Sequence, residues 1–454
     1  MVSQFLGFPF FDFRHLYDTG RMNITVLGAG IMGVSTAWHL LELGHTVTVV
    51  DRQADAALET SFANAAQISV SYCEPWANKE APWKALKWMF SKEAPLLFRP
   101  QWPIGRGWHQ YRWGLEFLAN CNDAAFERNV QQLVALGSYS HGALKDIVAA
   151  TGIEYNRLEK GIAHFYVDQK SFDAAAGAAA LMAKYGVQRR VVSRDELLQI
   201  EPAFRQYAEH IVGGTYTASD ESGDAREFTQ QLAQRCAARG AQFLWNHDVL
   251  SLNASGGSLD TVSVQDRSNG RVTALQSDAF VLSMGSYTAP LLRTVGVNLP
   301  IYPGKGYSAT FKILKPAQAP QVSFIDDSVK CAMSRLGDTL RIAGTIEVGG
   351  YDTGLDSALS RARCHMLARR VETVFPGVCD TRLETEGGNP QFWTGLRPAT
   401  PTNIPYIGRS KLAKLWVNAG HGTLGWTHGA GSGKAVAELI SGRTPEMNFR
   451  FYGT

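Results

Sequence analysis

The apolar positions along the chain change period several times. Residues 23–51 read NITVLGAGIMGVSTAWHLLELGHTVTVVD. The apolar run Ile24–Leu27 has the length of a buried strand, Val34, Ala37, Trp38 and Leu41 recur at helical spacing, and Thr46–Val50 is strand-like again. Gly44 stands where that helix must end. The pattern therefore predicts a β-α-β unit. Residues 58–76, LETSFANAAQISVSYCEPW, are small and polar and show no helical period. Tryptophan-rich amphipathic helices are expected over 82–135, in WKALKWMF and QYRWGLEFLANC. Strand character returns at 240–253 and at 278–292, where Gly285 marks a strand-to-helix turn. DTLRIAGTIEV, residues 338–348, alternates with period 2 and predicts a strand of an antiparallel sheet. Finally, Leu415–Asn418 enters a glycine-rich loop, and a helix follows over about Trp426–Ile440.

Composition changes this picture modestly. At 454 residues the chain is long enough for two domains, and 44 glycines and 11 tryptophans point to tight turns and large aromatic surfaces. A net charge of +3 gives no case for nucleic acid. Cys73, Cys121, Cys236, Cys331, Cys364 and Cys379 contain no C-x-x-C pair, so no metal site or disulfide framework is expected, and a reducing, cytoplasmic setting fits. The N-terminal stretch, residues 1–21, is aromatic but broken by Pro9 and Asp12 and lacks a basic leader. It reads as an extension before a working start at Met22, or as a segment resting on a membrane surface.

The first β-α-β unit carries chemistry. Gly28-Ala29-Gly30-Ile31-Met32-Gly33 joins strand to helix. Gly28 permits the turn, Gly30 admits a pyrophosphate and Gly33 lets helix and strand pack closely. The helix N-terminus favours phosphate. Asp51, about 20 residues on, suits a ribose diol. Val26, Leu27 and Arg52 flank these positions. This is a dinucleotide site, and the motif alone leaves NAD and FAD open. The nucleotide pattern halts soon after Asp51 and resumes far downstream, which suits a long cofactor lying extended through the molecule. The helix after the 419–425 loop has small residues at its start and a positive dipole end, suited to the electron-rich edge of a flavin.

One charge stands apart. Between Gly387 and Gly408 the single charged side chain is Arg397. A lone buried guanidinium needs a counter-charge. Glu347 or Glu386 could supply it internally, or a substrate could bring it.

With these pieces together, the chain resembles the D-amino acid oxidase-like superfamily of FAD enzymes, and more narrowly the bacterial D-amino acid dehydrogenases of small-subunit type. The resemblance rests on VLGAGIMGVSTAWHL, ETSFANAAQIS, ALKWMF, DESGDAREFTQ, YPGKGYSAT, FWTGLRPATPTNIPYIG and GHGTLGWTHGAGSG, in the family's order from Met22 onward. It implies an α/β protein with a Rossmann-type FAD-binding domain interleaved with a second α+β substrate domain that contains an antiparallel sheet. The FAD domain is expected over 22–75, 216–290 and 385–454, and the substrate domain over 76–215 and 291–384. The resemblance implies that Val26, Leu27, Gly28, Ala29, Gly30, Ile31, Met32, Gly33, Asp51 and Arg52 hold the ADP half. Ser61, Ala63 and Asn64 would lie beside the pyrophosphate and flavin, and Val249 would meet the adenine. Gly285, Gly422, Thr423, Leu424 and Gly425 would complete the cofactor site. Arg397 would clamp a substrate carboxylate, and Tyr307 would face the substrate. Phe392 and Trp393 stand where some relatives attach FAD through cysteine, so non-covalent FAD is expected.

The implied reaction is oxidative deamination of a D-amino acid to a 2-oxo acid and ammonia, by hydride transfer from the α carbon to flavin N5. A quinone or respiratory carrier would take the electrons, with peripheral contact on the inner face of the cytoplasmic membrane. Oxygen as acceptor, and glycine, sarcosine, proline derivatives or another secondary amine as substrate, remain open. So do an NAD-dependent dehydrogenase, a non-catalytic nucleotide-binding protein and the oligomeric state. The stretch SVSYCEPWANKEAPW departs from the family's Pro/Gly-rich segment near the substrate, placing Cys73, Glu74 and Lys79 there. His428 replaces an expected apolar residue, and His421 and His428 flank the flavin loop as either packed or catalytic histidines. Asp224 reads as a helix N-cap.

Overall fold

The computed structural model describes residues 20–83, 95–102 and 104–453. Expectations for residues 1–19 and for the WKALKWMF stretch from residue 84 onward lie outside the described residues.

The first motif folds as its pattern predicts. Strand β1 (Asn23–Leu27) leads into helix α1 (Ile31–Glu42) and strand β2 (Thr46–Val50). β1 pairs in parallel with β2 and, on its other side, with Ala279–Leu282. Gln242–Leu244 extends the sheet beyond β2, and Leu415–Ala419 extends it beyond Ala279–Leu282. Tyr406–Arg409 closes that edge antiparallel, giving six strands. Both faces of the parallel strands are buried, which is why they read as continuous apolar runs rather than alternating ones. Most of the 240–253 region leaves this sheet: His247–Ser255 joins Ser258–Asp266 and Val272–Leu275 in a separate antiparallel sheet.

A nine-stranded sheet forms the second layer. Its core is antiparallel: Gln391–Ala399 pairs with Tyr302–Lys312, which pairs with Thr339–Val348, then Cys331–Leu336 and Ser323–Asp326. Ile162–Tyr166, Gly213–Thr217 and Arg190–Ser193 complete the far end. The Ala358–Val374 helix packs on one face through Cys364, Leu367, Ala368 and Val371. Asp224 caps the Ala225–Ala238 helix by accepting from the Arg226 and Glu227 amides at 2.8 and 3.2 Å.

Sheet membership cuts the chain at different points from the expected 216 and 385 boundaries. Gly213–Thr217 and Gln391–Ala399 both belong to the large sheet. The Asp123–Thr151 helix contributes Leu136, Ala143, Leu144 and Ile147 to the core that also holds Ile24, Val26 and Trp38. We therefore propose that the nucleotide-side unit comprises about 22–75, 123–151, 225–293 and 400–454.

The Gly425–Ile440 helix is wedged between α1 and Asp123–Thr151, and its glycines explain how. A Cβ on Gly431 would lie 2.5 Å from the Ser140 Cα, and one on Gly433 would lie 2.6 Å from the Ser35 carbonyl carbon. These small residues, which the sequence suggested would admit a ligand, admit neighbouring helices instead. Gly431→Val should thus overpack the crossing and cost about 1–3 kcal/mol in urea denaturation. Gly142→Ala, at a helical glycine with open space around it, should hold or raise the midpoint.

Candidate active site

One large cavity of about 1440 Å³ runs between the two sheets. Gly28, Gly30, Ile31, Met32, Asp51, Arg52, Ser61, Ala63, Asn64, Val249, Gly285, Gly422, Thr423, Leu424 and Gly425 all border it, as do Tyr307 and Arg397. Val26, Leu27, Ala29 and Gly33 stand behind this lining. Gly33 packs directly on the Gly28 carbonyl, where a Cβ would collide.

The nucleotide end is built from backbone. Gly28 adopts a φ of 104° and its N–H donates to the Val50 carbonyl at 2.8 Å, ending β1 in the tight turn. Asp51 accepts from the Ala29 and Gln53 amides at 2.6 and 2.9 Å. Burial nevertheless pushes its carboxyl above the ordinary aspartate range, outweighing those two bonds. Arg52 is held by Glu59 at 2.6 Å and lies over the Tyr287 ring at 4.2 Å, so it shapes the wall rather than offering a free cation. The Ser61 hydroxyl accepts from the Ile31 amide at 3.2 Å.

Two helix N-termini open on the cavity. Neither α1, beginning after Gly30, nor the Gly425–Ile440 helix, beginning after Leu424, has a capping side chain or an acid in its first turn. Their amides and positive dipole ends remain available for anionic or electron-rich groups. Ser283 Oγ, Asn418 Oδ1 and His421 Nδ1 are buried in cavity-bordering residues and lack partners among the described residues. Such orphaned atoms point to a polar ligand. The residues present thus fit an extended dinucleotide: Asp51 and the Gly28–Ile31 turn for its ribose and phosphates, and the 420–425 loop for its ring system.

The opposite wall is a sheet floor cleared of side chains. Registration sets Gly304 opposite Arg397 and Gly306 opposite Gly395. Facing residues share one side of a sheet, so these four look toward the cavity together. At Gly306 a Cβ would strike the Arg397 guanidinium, so only glycine fits. Pairing of the next strand shifts between Lys305 and Tyr307, leaving Thr345 and Ile346 as a bulge opposite Gly306. Thr345 has a φ of 52°, and its carbonyl accepts from Arg397 Nη1 at 3.0 Å.

Among the described residues Arg397 has no ion-pair partner. Both carboxylates that could have served are committed elsewhere. Glu347 takes Arg99 at 2.7 Å and the Tyr307 hydroxyl at 2.9 Å, and Glu386 accepts from the Leu383 amide. Desolvation lowers the Arg397 guanidinium to about 10. None of the described residues supplies this cation with an anion.

Tyr307 requires a correction. It lies opposite Thr394, one step out of phase with Arg397, so its hydroxyl points through the sheet to Glu347 and Ser360. The hydroxyl braces the sheet rather than reaching into the cavity that the residue borders. Alternation alone does not show this, because which of Gly306 and Tyr307 shares the Arg397 face is set by the register with Gln391–Ala399. The two histidines are packed residues. His421 Nε2 pairs with Ser432 Oγ at 2.8 Å, and His428 Nε2 lies 3.6 Å from Cys73 Sγ. Burial keeps both neutral, pushing His421 well below its ordinary range and His428 down to about 3. Gly306, Thr345, Tyr72 and Lys330 escaped notice in the sequence, though each borders the cavity.

Comparisons with known proteins agree with this geometry. The FAD dependent oxidoreductase family (DAO) matches residues 23–439. A D-amino acid dehydrogenase of Dechloromonas aromatica (strain RCB) is 46% identical over 430 residues, covering 95% of this chain and 99% of that protein. One of Rhizobium rhizogenes is 41% identical over 429 residues, covering 94% and 98%. Among solved structures, an L-proline dehydrogenase from P. horikoshii superposes with a TM-score of 0.70 at 16% identity, covering 94% of this chain and 95% of that one. A glycine oxidase from Geobacillus kaustophilus gives 0.70 at 19% identity, covering 96% and 100%. Asp51→Ala should lower retention of flavin absorbance through gel filtration, with affinity weakened by about tenfold or more.

Proposed function

The chain belongs to the family of FAD-dependent oxidoreductases, and from that premise we propose that it oxidatively deaminates D-amino acids to 2-oxo acids and ammonia. The observation that carries this reading is the unpaired, desolvated Arg397 at a cavity floor of glycines. Relatives that cover nearly the whole chain and are named D-amino acid dehydrogenases support it. FAD, when bound, supplies the acceptor for the hydride leaving the amino acid α carbon.

The chain's own residues do the rest. Arg397 receives the α-carboxylate through two charge-assisted hydrogen bonds, and the Thr345 carbonyl fixes the plane of its guanidinium. Gly306 makes room for the Arg397 guanidinium and Gly395 for the Trp393 ring, so both side chains lie close on the floor over which the amino acid would bind. The fixed grip converts binding energy into orientation of the α carbon–hydrogen bond. No side-chain base is assigned: the amine gives its proton to solvent, and the neutral form reacts. The product imine hydrolyses in water. We take the cofactor to be held without a covalent bond.

For the electron acceptor we favour a quinone or respiratory carrier, met at the inner face of the cytoplasmic membrane. The Ile104–Ala119 helix supports this. Tyr111, Trp113 and Phe117 border the cavity, while Trp108 is 53% exposed and nearby Trp102 is 70% exposed. Aromatic side chains in such a setting suit a membrane interface. Among the described residues no helix is long and apolar enough to cross a membrane.

Four outcomes test this reading. Arg397→Met should raise KM for D-amino acids about a hundredfold or more with FAD still bound. An unchanged KM would refute the clamp. In wild type, kcat/KM should rise with pH as the substrate amine loses its proton. It should fall again above about pH 10, where Arg397 loses the charge that the carboxylate needs. Trp102→Glu with Trp108→Glu should weaken co-sedimentation with anionic lipid vesicles and slow quinone-linked turnover, leaving turnover with a soluble dye intact. A substrate panel that bleaches the flavin with glycine or cyclic amines, and not with D-amino acids, would replace the D-amino acid reading with its secondary-amine alternative.

A further inference from the structure

The cavity continues past Arg397 to a wall with different chemistry. After the Gln67–Ile68 strand the chain makes a short turn, Val70–Tyr72, held by buried Asp220. That carboxylate accepts from the Ser69 and Ser71 hydroxyls at 2.8 and 2.5 Å, and from the Val70 and Ser71 amides at 3.1 and 3.4 Å. The Trp76 amide anchors the far side on Asn403 Oδ1 at 2.9 Å. Tyr72 and Glu74 project from this pinned stretch and border the cavity.

Glu74 is aimed by a second, independent set of contacts. Its Oε1 accepts from Arg189 Nη1 at 3.0 Å. The Arg189 side chain is only 3% exposed and is tied through Nε to Thr215 Oγ1 at 3.2 Å and through Nη2 to the Tyr166 hydroxyl at 3.1 Å. It cannot swing into the cavity to meet an anion. The Glu74 side chain is 26% exposed, and its Oε2 takes no hydrogen bond among the described residues. Lys330 also borders this region but is paired with Asp327.

The spacing is informative. The Tyr72 ring meets His164 edge-on at 5.0 Å, and Arg189 Nη2 lies 3.5 Å from His164 Nδ1. Glu74 therefore sits above the Ile162–Tyr166 strand. The Arg397 guanidinium rests on Thr345, three strands away in the sheet order, about 14 Å at ordinary strand spacing. A cation for the α-carboxylate and a carboxylate with one oxygen unengaged thus face one cavity, at the span of an extended basic amino acid (about 7 Å between its charged ends) plus a hydrogen bond of about 3 Å at each end.

We propose that Glu74 is a specificity determinant that receives the terminal cation of a basic D-amino acid, of lysine or arginine type, whose α-carboxylate rests on Arg397. This rests on the D-amino acid reading above. The test compares D-arginine with D-norleucine, whose uncharged chain reproduces the aliphatic stem without the guanidinium, in wild type and in Glu74→Gln, which keeps the size of the side chain and an acceptor for Arg189. Wild type should favour D-arginine in kcat/KM, and raising ionic strength should shrink that preference. Glu74→Gln should lower the D-arginine value at least about tenfold, through KM, with D-norleucine and FAD content unchanged. Equal treatment of both substrates by wild type, or equal loss of both in the variant, overturns the proposal. The wild-type ratio and its salt dependence decide the matter even if the variant fails to fold. If D-norleucine or D-alanine reduces the flavin without a preference for D-arginine, this inference alone falls. If no D-amino acid does so, the D-amino acid reading itself falls.

Discussion

The site depends on one electrostatic arrangement: a half-buried guanidinium at the cavity floor with no carboxylate partner among the described residues. Leaving a cation in that state is unfavourable, and a fold keeps it only when the surroundings hold it in place. Here a bulge turns the Thr345 carbonyl toward Arg397, and a missing side chain at Gly306 gives the guanidinium room. Glu347, the acid nearest in the pairing scheme, is drawn to the other face by Arg99 and Tyr307. The sheet thus separates a satisfied charge cluster on one side from an unsatisfied charge on the other.

The cofactor end works by the complementary principle. Two helices begin on the cavity without capping side chains, and a buried aspartate closes the first turn. Cation and helix dipoles all present positive potential to the same space. In the proposed reading both the nucleotide and the amino acid carry negative groups, and each would be drawn to its own end. Orientation then follows from backbone geometry rather than from mobile side chains.

What the sequence revealed follows from how local each signal is. The Gly28–Gly33 turn, the end of α1 at Gly44, the Asp224 cap and the turn at Gly285 involve neighbours in the chain, and all were legible there. Arg397 was legible as an unexplained charge in an apolar segment. Tyr307 was misread because its direction depends on register with Gln391–Ala399, some 85 positions away. Gly431 and Gly433 were read as making room for a ligand when they make room for helices, since a glycine does not record which neighbour it admits. The Asp123–Thr151 helix joins the nucleotide-side core through contacts with residues almost 300 positions later, which no periodicity encodes.

The wedged Gly425–Ile440 helix has a consequence for how the protein comes into being. Its N-terminus supplies one end of the cavity, and Leu415–Ala419 supplies a strand next to Ala279–Leu282. Both are made long after the first motif. A ribosome that has finished β1, α1 and β2 has produced half a cradle, with a parallel strand still lacking its neighbours and apolar helix faces uncovered. The glycines of the Gly425–Ile440 helix let it lie close against two helices translated earlier, where its N-terminus completes the cavity. Acquisition of the cofactor is thereby tied to translation through that helix: a product truncated before it lacks the wall against which the ring system would rest.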